Sequence, residues 1–321
     1  MFDSILVPLD HSVLAECVLP HAIALARAFD SQLTVLHVLS GAGEPDRLRA
    51  VDPLEWTLRQ AEAESYLQGV CARLREAGVP NEAQVSAGDA AELIVSFAYD
   101  HDISLIVMAS HGQSGLSGWN VSSVVQKVVM RTRASFMVVR AYETPPADTN
   151  ALQYRRILVP LDGSARAESI LPLATVLARI PETLVLVVHV VQRPAIPRRT
   201  PPSQEDMELA DRLVERNRAE AESHLETVRL QLPPSTVETH LLVANQVASA
   251  LHEFVTQQRV DLVLLSAHGY SGETHWPHGG VVASFLAYGS CPLLVFQDAP
   301  GAPSVLTQAE ASVRESESRR A

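Results

Sequence analysis

The hexapeptide ILVPLD occurs twice in this chain, at Ile5 to Asp10 and again at Ile157 to Asp162, 152 residues further on. Fainter echoes follow in the same order. Leu36-His37-Val38 answers Val188-His189-Val190, and Ser110-His111-Gly112 answers Ala267-His268-Gly269 at an offset of 157. Landmarks repeated in sequence over such a span mark a duplicated unit. The chain has 321 residues, twice the roughly 150 that serve as the size of one domain, so each copy can build its own core. We place domains at 1–145 and 154–298, a linker at 146–153 in the region that holds the Pro-rich stretch YETPPADTN, and a polar tail at 299–321 that is expected to be disordered.

Within each copy, short apolar runs alternate with longer amphipathic ones. In copy one the runs at 5–9, 33–39, 84–86, 105–109 and 136–139 read as strands, most of them buried on both faces. Helices are expected at 12–29, 52–77, 90–100 and 120–132. Copy two repeats the pattern with strands near 157–161, 183–191, 236–243, 261–266 and 292–296, and its second helix lines Ala210, Leu213, Val214, Ala221, Leu225 and Val228 along one face. Such alternation predicts an α/β protein of βαβ units with right-handed crossovers and a five-stranded parallel sheet per copy. The stretches 40–52 and 192–203, at the same place in both copies, read as flexible excursions.

Charge and cysteine content exclude several classes of function. Lys and Arg number 25 against 37 Asp and Glu, a net charge of −12 that argues against nucleic acid or anionic lipid as partner. Lys127 is the single lysine, and it does not sit in the GxxxxGK[ST] setting of a P-loop. Strand one is not followed by GxGxxG, so dinucleotide oxidoreduction lacks its fingerprint. Nucleotidyl transfer would want a His-x-Gly-His type of signature there, and that is absent too. Cys17, Cys71 and Cys291 have neither the number nor the spacing of a disulfide framework or zinc site, and read as reduced thiols. With neither a leader-like N-terminus nor a membrane-length apolar run, a cytoplasmic protein is expected.

In an open parallel sheet, ligands bind beyond the carboxyl ends of the strands where the strand order reverses. Asp10 and Asp162 end strand one, Val38 and Val190 end strand two, and strand four runs into a loop of small residues, Ala109 to Gly118 in copy one and Ser266 to Gly272 in copy two. Small residues let backbone approach a ligand, and the helix that follows presents free N–H groups to an anion. The residues alone therefore read as one anion or phosphate cradle per copy.

At these positions the chain resembles the universal stress protein family in its tandem, two-domain form, over Met1 to about Gln297 apart from the two excursions. The resemblance implies two Rossmann-like (adenine nucleotide alpha hydrolase-like) domains of strand order 3-2-1-4-5, joined through their last strands as an intramolecular pseudo-dimer, with further homodimerisation open. It implies a stress-response protein that binds AMP, ADP or ATP in one or both domains and signals through its interface or a protein partner. The site in copy one would comprise Pro8, Leu9, Asp10, Val38, Met108, Ala109, Gly112, Ser122, Ser123 and Val124. In copy two it would comprise Pro160, Leu161, Asp162, Val190, Leu265, Ser266, Gly269, Gly279, Gly280 and Val281. Asp10 and Asp162 would lie near the ribose or a nucleotide-bound Mg²⁺, and Val38 and Val190 would offer backbone to adenine.

The family's pattern G-x2-G-x9-G-[S/T] is met incompletely. Ala109 and Ser122 replace glycines in copy one, Ser266 replaces the first glycine of copy two, and Gly280 replaces the hydroxyl residue. The arginine common after His-Gly is Gln113 or Tyr270 here, so a triphosphate would depend on backbone dipoles and a metal. The alternative is a nucleotide-independent scaffold with degenerate loops. Plainer readings stand beside these: Asp10 and Asp162 as helix caps, Gly112 and Gly269 as turn glycines, and His37 and His189 as satisfied core histidines. His111 and His268 read equally as pocket lining or turn residues. His275 and His278 lack a carboxylate or cysteine at ligand spacing, and Arg193, Arg198 and Arg199 read as a solvated excursion. Ser114 and Ser117 lack a GxSxG elbow, so no catalytic constellation is expected, with slow ATP hydrolysis or self-phosphorylation on a loop serine as the enzymatic alternative.

Overall fold

The computed structural model describes residues 1–39, 53–113, 121–141, 152–194, 203–233, 236–269 and 278–297. The expectations for the tail, for most of the linker and both excursions, and for Ser114, Ser117, Tyr270, His275, Arg198 and Arg199 fall outside these residues. In the first half, β1 (Ser4–Pro8), β2 (Gln32–Leu39), β3 (Asn81–Ala87), β4 (Leu105–Ala109) and β5 (Ser135–Val139) are linked by α1 (Leu19–Phe29), α2 (Pro53–Glu76), α3 (Ala90–Asp100) and α4 (Ser123–Arg131). The second half repeats them as β6 (Arg156–Leu161), β7 (Leu184–Gln192), β8 (Val237–Ala244), β9 (Leu262–Ser266) and β10 (Leu293–Phe296). Its helices are α5 (Ala165–Glu168), α6 (Leu171–Leu177), α7 (Gln204–Gln231), α8 (Val247–Gln258) and α9 (Gly280–Tyr288).

All ten strands form one sheet in the order β3-β2-β1-β4-β5-β10-β9-β6-β7-β8. Pairing is parallel within each half and antiparallel at the β5–β10 seam, where Met137 lies opposite Leu294 and Phe136 and Val138 lie opposite Val295 and Leu293. Met137 and Leu294 are themselves 157 apart, so the seam is centred on equivalent residues of the two copies. Strand residues alternate between faces: Ile5 and Val7 join the apolar cluster that α1, α2, α6 and α7 cover, whereas Leu6 joins the one under α3, α4, α8 and α9. Both clusters run across the seam.

The helix expected over 12–29 is interrupted. Ala15–Val18 is a 3-10 turn and α1 starts at Leu19, with Pro20 in its first turn; α5 and α6 divide in the same way before Leu171-Pro172. A proline has no N–H to give the preceding turn and is accommodated only at a helix start, so each copy restarts its helix there.

Two further contacts cross between the halves. Arg140, just past β5 and fully buried, donates from Nη2 to the Phe285 carbonyl (2.6 Å) and from both Nη atoms to that of Leu286 (3.3 Å), so a cation meets the negative end of α9. Gly289 accommodates it, since a Cβ there would lie 2.9 Å from Nη2. His21 of α1 shares a 2.6 Å hydrogen bond between Nδ1 and the Tyr154 hydroxyl, and burial pushes the imidazole down to about 4.

Candidate functional site

The two strand-one aspartates fold back on their own turns. Asp10 Oδ1 accepts from Ser12 N–H (3.1 Å) and Ser12 Oγ (2.6 Å), and Ser12 Oγ in turn accepts from Ala15 N–H (3.0 Å). Asp162, Ser164 and Ala167 repeat the arrangement at 3.0, 2.6 and 3.1 Å. The helix-cap reading of the aspartates is therefore corrected: the serine two residues later accepts the helical N–H and the aspartate fixes that serine.

The second carboxylate oxygen reaches about a hundred residues along the chain. Asp10 Oδ2 accepts the backbone N–H of Gln113, and a Cβ built at Gly112 would collide with that oxygen. Gly269 stands in the same relation to Asp162 Oδ2. Neither glycine has a positive φ, so the requirement is space for the carboxylate rather than backbone freedom. Each pair clasps the loop after strand one to the loop after strand four, across the point where the strand order reverses. The strand-end residues Ala109 and Ser266 also avoid positive φ, so their Cβ atoms cost no backbone strain.

A cavity of about 150 Å³ opens beside the first clasp. All ten copy-one positions named from the sequence line it: Pro8, Leu9, Asp10, Val38, Met108, Ala109, Gly112, Ser122, Ser123 and Val124. Leu36, Ile94 and His111, not among them, line it too. His111 is buried, with Nδ1 3.2 Å from Ser110 Oγ. Ser122 caps α4, accepting from Val125 N–H at 3.3 Å, but its own N–H donates to the Ser110 carbonyl at 2.7 Å. The Ser122 N–H is thus engaged within the loop, while the residue itself lines the cavity. The N–H groups of Ser123 and Val124, which open α4, have no acceptor upstream in the helix.

In copy two, Pro160 and Leu161 end β6, Val190 is half-buried on β7, and Leu265 and Ser266 close β9 with the Ser266 hydroxyl 3.3 Å from Ser169 Oγ. Gly279 takes the N-cap of α9 without a side-chain acceptor, and its N–H goes to the Ala267 carbonyl at 2.7 Å, as that of Ser122 goes to Ser110. Gly280 and Val281 follow in the first turn. His37 is satisfied, with Nδ1 2.8 Å from the Leu9 carbonyl, whereas the buried Nδ1 of His189 meets no acceptor or donor, contrary to the core-histidine reading. Burial lowers both imidazoles below the ordinary value.

Among the described residues no magnesium site made of protein ligands alone is assembled. Asp10 already accepts three hydrogen bonds, which leaves about one of its four lone-pair directions, and no group of three His, Cys, Asp or Glu side chains suited to a metal occurs among the described residues. Among those residues no helix is long and apolar enough to cross a membrane.

The family model of the universal stress protein family matches residues 1–140 and again 153–297. This chain belongs to that family. The duplication inferred from ILVPLD is thus two universal stress protein domains in tandem. Single-domain relatives match part of the chain: universal stress protein MJ0577 of Methanocaldococcus jannaschii is 25% identical over 155 residues (44% of this chain, 96% of that protein). Universal stress protein YxiE of Bacillus subtilis is 28% identical over 151 residues (44% of this chain, 100% of that protein). The crystal structure of a universal stress protein from Archaeoglobus fulgidus shares the fold along most of the chain, with a TM-score of 0.64 at 17% identity over 93% of this chain and 100% of that one.

Proposed function

We propose that this universal stress protein binds an adenine nucleotide at the carboxyl ends of its strands and acts as a non-enzymatic sensor or carrier, with occupancy biasing the contact between halves or with a partner. One observation carries the reading: the cavity beside the Asp10–Gly112 clasp brings apolar walls, a carboxylate with one free acceptor direction and the open first turn of α4 into a single space. The apolar side chains of Leu36, Ile94 and Met108 suit a nucleobase, Asp10 suits a ribose hydroxyl donor, and the N–H groups of Ser123 and Val124 suit a phosphate. Site residues of copy two take the same part around Asp162 and Gly269. In this reading the residues of the cavity orient the nucleotide and exclude water. Calorimetric titration with AMP, ADP and ATP tests the reading, and mass spectrometry of co-purifying ligand supports it independently. Absence of heat with every adenine nucleotide would leave the nucleotide-independent scaffold as the function.

A further inference from the structure

Resting on the nucleotide reading above, we infer that Arg140 is a positioning residue for phosphate at both crevices, acting from the seam between them. A paired difference between the copies sets it apart. Thr132 and Gly289, 157 residues apart, close α4 and α9 with nearly the same backbone: φ is −70° and −62°, and each N–H donates at 2.8 Å to the carbonyl four residues back, that of Val128 or Phe285. Any residue adopts such a φ. Glycine at 289 is a matter of space, because a Cβ there would lie 2.5 Å from the Phe285 carbonyl oxygen and 2.9 Å from the Arg140 Nη2 that closes on it. The residue matching Arg140 in the other copy is Gln297, at the same offset. One half thus pairs arginine with glycine where the other has glutamine with threonine.

The fully buried guanidinium closes the carboxyl end of α9. With the negative pole of that helix met by a cation, its positive pole at Gly280 and Val281, the phosphate end of the copy-two site, is less compensated. The backbone of the same residue leads to the other crevice. Ser110 Oγ accepts the Ala141 N–H at 3.0 Å, and the Ser110 carbonyl accepts the N–H of Ser122, the N-cap of α4, at 2.7 Å. Helices run counter to the parallel strands they connect, and the halves meet antiparallel, so the end of α9 and the start of α4 lie at one pole of the molecule. A buried charge is little screened by salt. The imidazole of His252, with Nε2 3.1 Å from Ser284 Oγ, registers it: burial lowers His252 below the ordinary value, the contact with Ser284 opposes this, and Arg140 adds to the lowering. Over about 13 Å, the length of nine helical residues, a buried unit charge favours a phosphate by about fivefold or more in binding.

The test is calorimetric titration of the full chain with adenosine and with AMP, read as the ratio of the two affinities. Lost packing at the seam would move both ligands together, whereas lost charge moves AMP alone. Arg140→Met should weaken AMP about fivefold or more and leave adenosine within about twofold. Arg140→Lys, which keeps the charge, should hold the ratio within about twofold of the unmodified chain. A gain arm copies the arginine–glycine pair into the other half: Gln297→Arg with Thr132→Gly should raise the preference for AMP about fivefold. That arm decides the question if Arg140→Met does not fold. A ratio unmoved by Arg140→Met or by the double variant, or Arg140→Lys falling as far as Arg140→Met, overturns the role of the charge while leaving the nucleotide reading intact. If neither ligand binds the unmodified chain, the nucleotide reading itself falls and this inference with it.

Discussion

The two crevices share a frame and differ in furnishing. In both, aspartate, serine and the next helical N–H repeat within a tenth of an ångström, and glycine yields space to the carboxylate. Around that frame the residues diverge. The residue after each aspartate is left-handed, with φ of 71° at His11 and 81° at Gly163, a conformation glycine takes freely and histidine only at some cost. The His11 ring lies 4.0 Å from that of Tyr66 and 6.1 Å from that of His37, contacts Gly163 cannot make. Where Tyr66 stands in copy one, copy two has His224, bonded at 2.8 Å to Glu168. After duplication, the aspartate, its serine and the glycine facing the carboxylate kept their residue types, whereas the left-handed position and the side chains packed around it changed.

The sharpest break in the symmetry is at the seam. Arg140 follows β5 and Gln297 follows β10, yet only the arginine is sealed in the interior, closing the end of α9. Arg140→Met should lower stability by about 2–4 kcal/mol, because the Phe285 and Leu286 carbonyls lose a charged donor, whereas Gln297→Ala should stay within about 0.5 kcal/mol. Urea unfolding of both variants checks the contrast.

A similar asymmetry sets His21 against Leu173, its equivalent beside Pro172. The buried imidazole has a pKa near 4, below the 6.5 of an unfolded histidine. As pH falls the unfolded chain therefore takes up the proton first. Stability present above pH 6.5 drains away between 6.5 and 4, by up to about 3 kcal/mol. His21→Leu should flatten that part of the stability profile, read as urea midpoints across the range, and a slope left unchanged would assign it to other groups.

The clasps should respond alike if the shared frame governs them. Gly112→Ala and Gly269→Ala each force an aspartate from its loop, at about 1–3 kcal/mol. In an Asp10→Ala background the Gly112→Ala penalty should largely vanish, a non-additivity that a double-mutant cycle measures. The smallest effect concerns the left-handed pair. Gly163→Ala should cost about 1–2 kcal/mol through strain, and His11→Gly should change stability by less, since relief of strain offsets the lost ring contact with Tyr66. Thermal unfolding of the two variants compares them.

Most of the architecture is written locally. Runs such as Leu105 to Ala109 are apolar on both faces, and the strands lie where those runs lie. The interruptions at Pro20 and Pro172 were legible from proline chemistry alone, but the amphipathic spacing around them masks the break. The site residues near Asp10 could be named because strand ends and small-residue loops are local signals. Their geometry could not, because the carboxylate's second partner is Gln113, about a hundred positions away. Arg140 is the least legible residue. A cation just past a strand reads as solvated, and only the antiparallel seam brings a helix end over it.

That seam also sets the directions in which the two crevices open. Strands of one half run counter to those of the other, so the carboxyl ends bearing Asp10 and Asp162 point to opposite poles of the molecule. A macromolecule that docks at one pole leaves the other unobstructed, and no single small ligand bridges both. The two crevices are thereby held apart at opposite ends of one uninterrupted ten-stranded sheet.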